Sequence, residues 1–177
     1  MIRAIIGTVA VLAGFAVVEN SVDASTGVAG SCKASETFVM LRPGEQLPVR
    51  AAPTPGAVVV GAFATQDMSR DVALSVVTLI GSRSGWARIA LNSRDYSALD
   101  GSAARYGWIP ADQLLVDTRA DMPTTMKNNP GLLGSTVGRI EGQKTFRVLG
   151  CRGEFLHVIN AQQGNVWIDH WSAEARS

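Results

Sequence analysis

The sequence lacks an excess of either charge. It has 16 Lys and Arg against 15 Asp and Glu, a formal net charge of +1. That balance offers no electrostatic footprint for nucleic acid, whose binders normally show a basic face or stripe. Its two cysteines, Cys32 and Cys151, and its two histidines lack the paired short spacings of structural zinc, so no metal is expected. No glycine-rich phosphate loop stands between a strand and a helix, "GRIEGQK" at 138–144 fits neither nucleotide motif, and no cofactor is expected. The uncharged apolar run 4–18 is shorter than the roughly 20 residues a membrane-spanning helix needs.

What is present points to export and to β structure. Arg3 precedes the apolar run, and Val22 and Ala24 fit the small-residue rule for a cut after Ala24, so 1–24 is expected to be a signal peptide. Val28-Ala29-Gly30 offers a second cut, just before Ser31. An even cysteine count in an exported chain favours a Cys32–Cys151 disulfide in a periplasmic or secreted protein. Two alternatives would put the chain on a membrane: a retained N-terminal anchor, or a lipid on Cys32 after "AGS", where Ala29 replaces the usual leucine. The 18 glycines, the many Val and Thr and the scarcity of helix formers favour strands.

The chain also repeats itself. A shift of 77 lays Val49-Arg50 on Met126-Lys127, Pro53 on Pro130, Val60-Gly61 on Val137-Gly138 and Phe63 on Ile140. A shift of 69 lays "VTLIGSRSGWARI" (77–89) on "FRVLGCRGEFLHV" (146–158), with Gly81 on Gly150, Arg83 on Arg152 and Trp86 on Phe155. A shift of 59 lays Trp108-Ile109 on Trp167-Ile168. Three blocks in order, with shifts that change only between them, indicate duplication. Each copy is a set of short alternating segments punctuated by Gly, Pro and Asn, as in a small barrel or sandwich. A unit of roughly 60 residues is marginal alone, so the copies are expected to pack together across a linker at 117–123.

Copy one resembles the bacterial SH3-type domain. The residues that carry the likeness are Leu47-Pro48-Val49-Arg50 with Pro53, then Val59 to Phe63, Val76 to Ile80, Gly85-Trp86-Ala87-Arg88-Ile89, Gly107-Trp108-Ile109 and Leu114. Copy two is degenerate: Lys127 replaces Arg50, Phe155 replaces Trp86, and no leucine closes it. The resemblance implies an all-β fold of two tandem small SH3-like barrels. The expected organisation is a leader at 25–46, a first domain at 47–117 and a second at 118–177. It also implies non-catalytic work, holding cell-wall material or a partner protein in the envelope.

Alternation assigns faces. Ala87, Ile89, Leu91 and Ile109 are expected inward; Trp86, Arg88, Tyr106 and Trp108 outward, as one aromatic and cationic patch suited to stacking on a sugar or peptide. Phe155, His157, Trp167 and Trp171 repeat it in copy two. The competing reading is that these tryptophans seal a barrel end or pack against the sister copy. Arg50 and Lys127 are expected to be strand residues with solvated heads. Two insertions, 64–75 and 92–105, distinguish copy one, and Arg94, Asp95, Tyr96 and Asp100 either extend the patch or decorate it. Cys151, His157, Asp169 and His170 are the residue types of a thiol hydrolase, an activity that a disulfide at Cys151 would abolish. The function expected is non-enzymatic binding of peptidoglycan; the alternative is a structural or assembly subunit bound to an envelope protein.

Overall fold

Burial with period two explains why the segments fold as strands. In Phe155–Asn160, Leu156 and Val158 are buried while Phe155, His157 and Ile159 are not. In Trp86–Ala90, Ala87 and Ile89 are buried while Trp86, Arg88 and Ala90 are not. The computed structural model describes residues 30–64, 72–99, 101–131 and 133–175. The expected signal segment lies outside them, as do Asp100 and most of the first insertion (65–71).

The described residues form no α-helix. The strands of the first half are β1 (Gly30–Leu41), β2 (Gln46–Arg50), β3 (Val59–Ala64), β4 (Ala73–Arg83), β5 (Trp86–Ala90), β6 (Tyr96–Ala98) and β7 (Tyr106–Pro110), followed by a 3-10 turn at Ala111–Gln113. Then come β8 (Leu115–Thr118), β9 (Thr124–Lys127), β10 (Thr136–Ile140), β11 (Thr145–Arg152), β12 (Phe155–Asn160) and β13 (Gly164–Asp169), a second 3-10 turn at His170–Ser172, and β14 (Ala173–Glu174). All fourteen lie on one antiparallel sheet, ordered β10-β9-β13-β12-β11-β8-β1-β4-β5-β7-β2-β3-β6, with β14 beside β8. The all-β expectation holds; in place of two separate barrels, the two halves share one continuous sheet, joined through β1 and β8.

The duplication is visible in the hydrogen-bond register. The β4–β5 ladder passes from Leu79 opposite Ile89 to Gly81 opposite Arg88, leaving Ile80 as a bulge. The β11–β12 ladder passes from Val148 opposite Val158 to Gly150 opposite His157, bulging at Leu149. Likewise Val60 bulges between β2 and β3, and Val137, 77 residues on, bulges between β9 and β10. Arg88 faces Trp108 as His157 faces Trp167, and Arg50 faces Trp108 as Lys127 faces Trp167. A bulge re-aims a strand, so bulges at matching positions give both halves the same course. The β4–β5 hairpin closes through Ser84 (φ 48°) and Gly85 (φ 80°), the two left-handed residues of a type I′ turn.

Two expectations are corrected where the halves meet. The leader expected over 25–46 is, from Gly30 onward, the longest strand of the protein: β1 pairs along β4, and its Phe38 and Val39 are buried. The linker expected at 117–123 begins inside β8, where Asp117 and Thr118 are wholly buried. Thr145 Oγ1 donates to Asp117 Oδ1 at 2.6 Å and Gln143 Nε2 donates to Oδ2 at 3.0 Å, which satisfies a carboxylate that burial would otherwise penalise. The two strands stand in equivalent places. β1 flanks β4 as β8 flanks β11, and they meet through Phe38 and Leu115, which are 77 residues apart. The shift of 77 therefore runs back from the strand of Val49 to Phe38.

Close approach at this seam requires small residues. A Cβ on Gly30 would lie 2.8 Å from the Cys151 carbonyl oxygen, and one on Gly150 would lie 2.9 Å from Ser82 Oγ. Ser82 and Cys151 are equivalent under the shift of 69 and bind each other: the Cys151 N–H donates to Ser82 Oγ at 2.8 Å, and that hydroxyl donates to the Cys151 carbonyl at 3.0 Å. The Cys32–Cys151 disulfide crosses the same seam (S–S 2.02 Å), beside backbone hydrogen bonds from Lys33 to Gly153 and from Gly153 to Ser31. A disulfide fits an oxidising compartment outside the cytosol. One apolar cluster, including Phe63, Leu79 and Ile89 from the first half and Phe146, Val148 and Ile168 from the second, fills the interior.

Candidate functional site

The first predicted patch is assembled, with one member turned to another use. Trp86, Arg88, Tyr106 and Trp108 lie on β5 and β7, which pair with Arg88 opposite Trp108 and Trp86 opposite Pro110. Tyr106 is 47% exposed, and the Arg88 guanidinium carbon lies 3.6 Å from the centre of its ring, a cation–π contact. Trp86 is half-buried. Trp108 is only 8% exposed, which corrects its expected outward role. The physical reason is its position in the sheet: β7 lies between β5 and β2, so Trp108 has Arg88 opposite on one side and Arg50 on the other. Directly opposed side chains stand about 5 Å apart on one face, so an arginine stands beside the indole on either side.

In copy two the arrangement recurs with different chemistry. His157 and Trp167 stack with ring centroids 4.3 Å apart and planes 10° apart. Lys127 Nζ lies 5.1 Å from the centre of the Phe155 ring. Phe155, His157 and Trp167 are all partly buried. The heads of Arg50 and Lys127 are used rather than solvated: Arg50 Nη1 donates to the Ala57 carbonyl at 2.8 Å and Lys127 Nζ to the Gly131 carbonyl at 3.3 Å, each tying down the loop after its own strand. Trp171 is 60% exposed and carries Lys33 Nζ 3.6 Å from its ring centre, and Glu154 bridges Lys33 (3.5 Å) and His170 (3.2 Å).

Of the insertion residues, Tyr96 is structural: its hydroxyl donates to the Val60 carbonyl at 3.1 Å and its ring sits 5.6 Å from that of Phe63. The thiol-hydrolase grouping does not exist in this state, because Cys151 is bonded to Cys32, and the same bond leaves no Cys32 sulfur for a lipid. No group of His, Cys, Asp and Glu among the described residues is placed to hold a metal ion. Alternation along single strands does not disclose a cleft of about 640 Å³ at the seam, lined by both halves and including Arg83, Arg152, His157 and Trp167. Its signal was the alignment of Arg83 with Arg152, which marks the two residues as equivalent but does not say that they share a cavity.

Burial holds the His157 imidazole below its ordinary value of 6.5, against a smaller opposing effect of its hydrogen bond to Asn165. A depressed folded-state value means stability that is complete above 6.5 and lost as pH falls through the folded value. The melting temperature of the wild type is expected to fall relative to that of His157→Phe as pH drops below about 6.5, and the two curves should run parallel above it. Parallel curves throughout would assign acid sensitivity to other groups.

The chain matches no protein-family model and no curated protein. Among solved structures it is similar to NlpC2 and to NlpC1 from Trichomonas vaginalis, each at 14% identity and a TM-score of 0.32 over 81% of this chain. It covers 49% of the first and 46% of the second, about half the length of each. Likeness at that level says nothing about activity.

Proposed function

We propose that this protein is an exported, non-enzymatic module of two SH3-type units that binds peptidoglycan in the bacterial envelope. The observation that carries the reading is the Arg88–Tyr106 pair: an aromatic ring 47% exposed, with a guanidinium 3.6 Å from its centre, on the paired strands β5 and β7. A sugar ring or a peptide plane stacks on such a face, and the cation adds attraction for carboxylates. The resemblance of residues 47–116 to the SH3-type pattern and the matched bulges of the two halves support the tandem arrangement. The disulfide supports a periplasmic or secreted location.

Sedimentation with purified sacculi tests the reading. The oxidised protein is expected in the pellet at moderate salt, and Tyr106→Ala combined with Arg88→Gln should lower retention about tenfold, from lost stacking and charge-assisted bonding. Wild type left in the supernatant would refute it. The second reading, an assembly subunit bound to an envelope protein, is favoured by Leu133 (99% exposed) and Val137 (55% exposed) beside and on the edge strand β10. Recovery of one crosslinked envelope protein, lost on Val137→Lys, would decide for it.

A further inference from the structure

We infer that the cleft at the seam of the two halves is a second binding site, built for a ligand that carries carboxylates. It is lined by the start of β1, by the end of β4 and the turn after it, by the end of β11, and by His157 and Trp167. Arg83 closes β4 and Arg152 closes β11, at equivalent places 69 residues apart, and both line the cavity. Duplication therefore brings two copies of one arginine to a single space.

Neither arginine takes part in an ion pair among the described residues, and no Asp or Glu lines the cleft. The nearest acid along the chain, Glu154, is held by Lys33 and His170. Two arginines and no acid among its lining residues give the cavity a surplus of positive charge, which attracts anions. The planar guanidinium forks match carboxylates two bonds at a time. Ser31 and Ser84 add hydroxyl groups at the rim, and the stacked His157–Trp167 pair gives the cavity an aromatic end.

The walls are fixed before any ligand arrives. The Cys32–Cys151 disulfide, the two Ser82–Cys151 hydrogen bonds and the Lys33–Gly153 and Gly153–Ser31 hydrogen bonds all cross this seam. Preformed walls spare a ligand the cost of ordering them. About 640 Å³ holds a disaccharide-sized or short-peptide ligand but no folded partner. On the wall-binding reading, on which the ligand's name but not its charge rests, the occupant is the acidic stem peptide of peptidoglycan.

Calorimetry on the full oxidised chain tests this with three probes: a soluble disaccharide-tetrapeptide with free carboxylates, the same compound with its stem carboxylates amidated, and hexaglutamate. Amidation is expected to weaken binding by about tenfold or more, the scale of lost charge-assisted hydrogen bonds. Arg83→Gln with Arg152→Gln should weaken the free-acid compound equally, remove the difference between free and amidated forms, and leave the melting temperature in place. Sacculi that still pellet the double variant, with the muropeptide bound equally by variant and wild type, would overturn the cleft and leave the wall reading standing. Hexaglutamate bound through the two arginines, with no affinity for muropeptide or sacculi, would keep the cleft and overturn the wall reading. No binding of any probe would overturn the cleft.

Discussion

Reducing the Cys32–Cys151 bridge, or replacing both residues by serine, is expected to remove roughly 4 to 5 kcal/mol of stability in the chain-entropy description of a long loop. The two cysteines are 119 residues apart, so the open chain regains nearly the whole freedom of the described protein when the bond is cut. For a chain of this size that corresponds to a fall in melting temperature of roughly 10 to 20 °C, measured with and without reductant. The loss should show a definite geography. Beside the bond stand the Lys33–Gly153 and Gly153–Ser31 hydrogen bonds and the Cys151–Ser82 contact, which join β1 and β4 to β11. Amides there should lose hydrogen-exchange protection first, while Ile89 and Ile168, fully buried in the two halves, should keep theirs until global unfolding. A reduced protein melting within about 2 °C of the oxidised one would show that packing alone holds the seam.

The second large effect is expected at Trp108, and it concerns stability rather than ligand. Trp108→Ala should cost about 3 to 5 kcal/mol in urea denaturation, the range for deleting a buried aromatic side chain. The indole is 8% exposed and lies between Arg50 and Arg88 in the sheet. Its removal takes apolar surface from two arginine stems as well as from the interior. Trp171→Ala provides the contrast. At 60% exposure, with Lys33 over its ring, it should cost about 1 kcal/mol or less. Trp167→Ala should lie between them, because His157 stacks on one side of a ring that is only partly buried. Should Trp108→Ala leave the denaturation midpoint unmoved while sacculus binding disappears, the covered position of this ring would be refuted.

The repeat was legible because residues that align along the chain hold matching places in the ladders. Gly61 and Gly138, Gly81 and Gly150, Arg88 and His157 hold the same ladder positions in the two halves, as their alignment suggests. Of the inward set, Ala87, Ile89 and Ile109 are buried and Leu91 is partly buried against the core, and it was legible because alternation along one strand needs no knowledge of its neighbours. The disulfide was legible from the even count of cysteines in a chain expected to be exported, and the two sulfurs are joined.

Trp108 marks where such reading stops. Period two says that it shares a face with Tyr106, but not that a strand carrying Arg50 lies on its far side. Exposure depends on the strand next door, which the order of residues along one strand does not specify. β1 was hidden for a related reason: its partner β4 begins more than thirty residues along the chain, and its equivalence to β8 appears only once both are seen flanking matching strands. The cleft belongs to neither half. Duplicating a sequence doubles an arginine, but whether Arg83 and Arg152 line one cavity is set by how the two halves of the sheet join at Phe38 and Leu115. Residue order thus pointed to the strands from β2 onward and to the duplication, which rest on local pattern, and to the sulfur bond, which rests on the count of cysteines. Which rings are covered and which cations share a cavity was settled by packing between segments far apart in the chain.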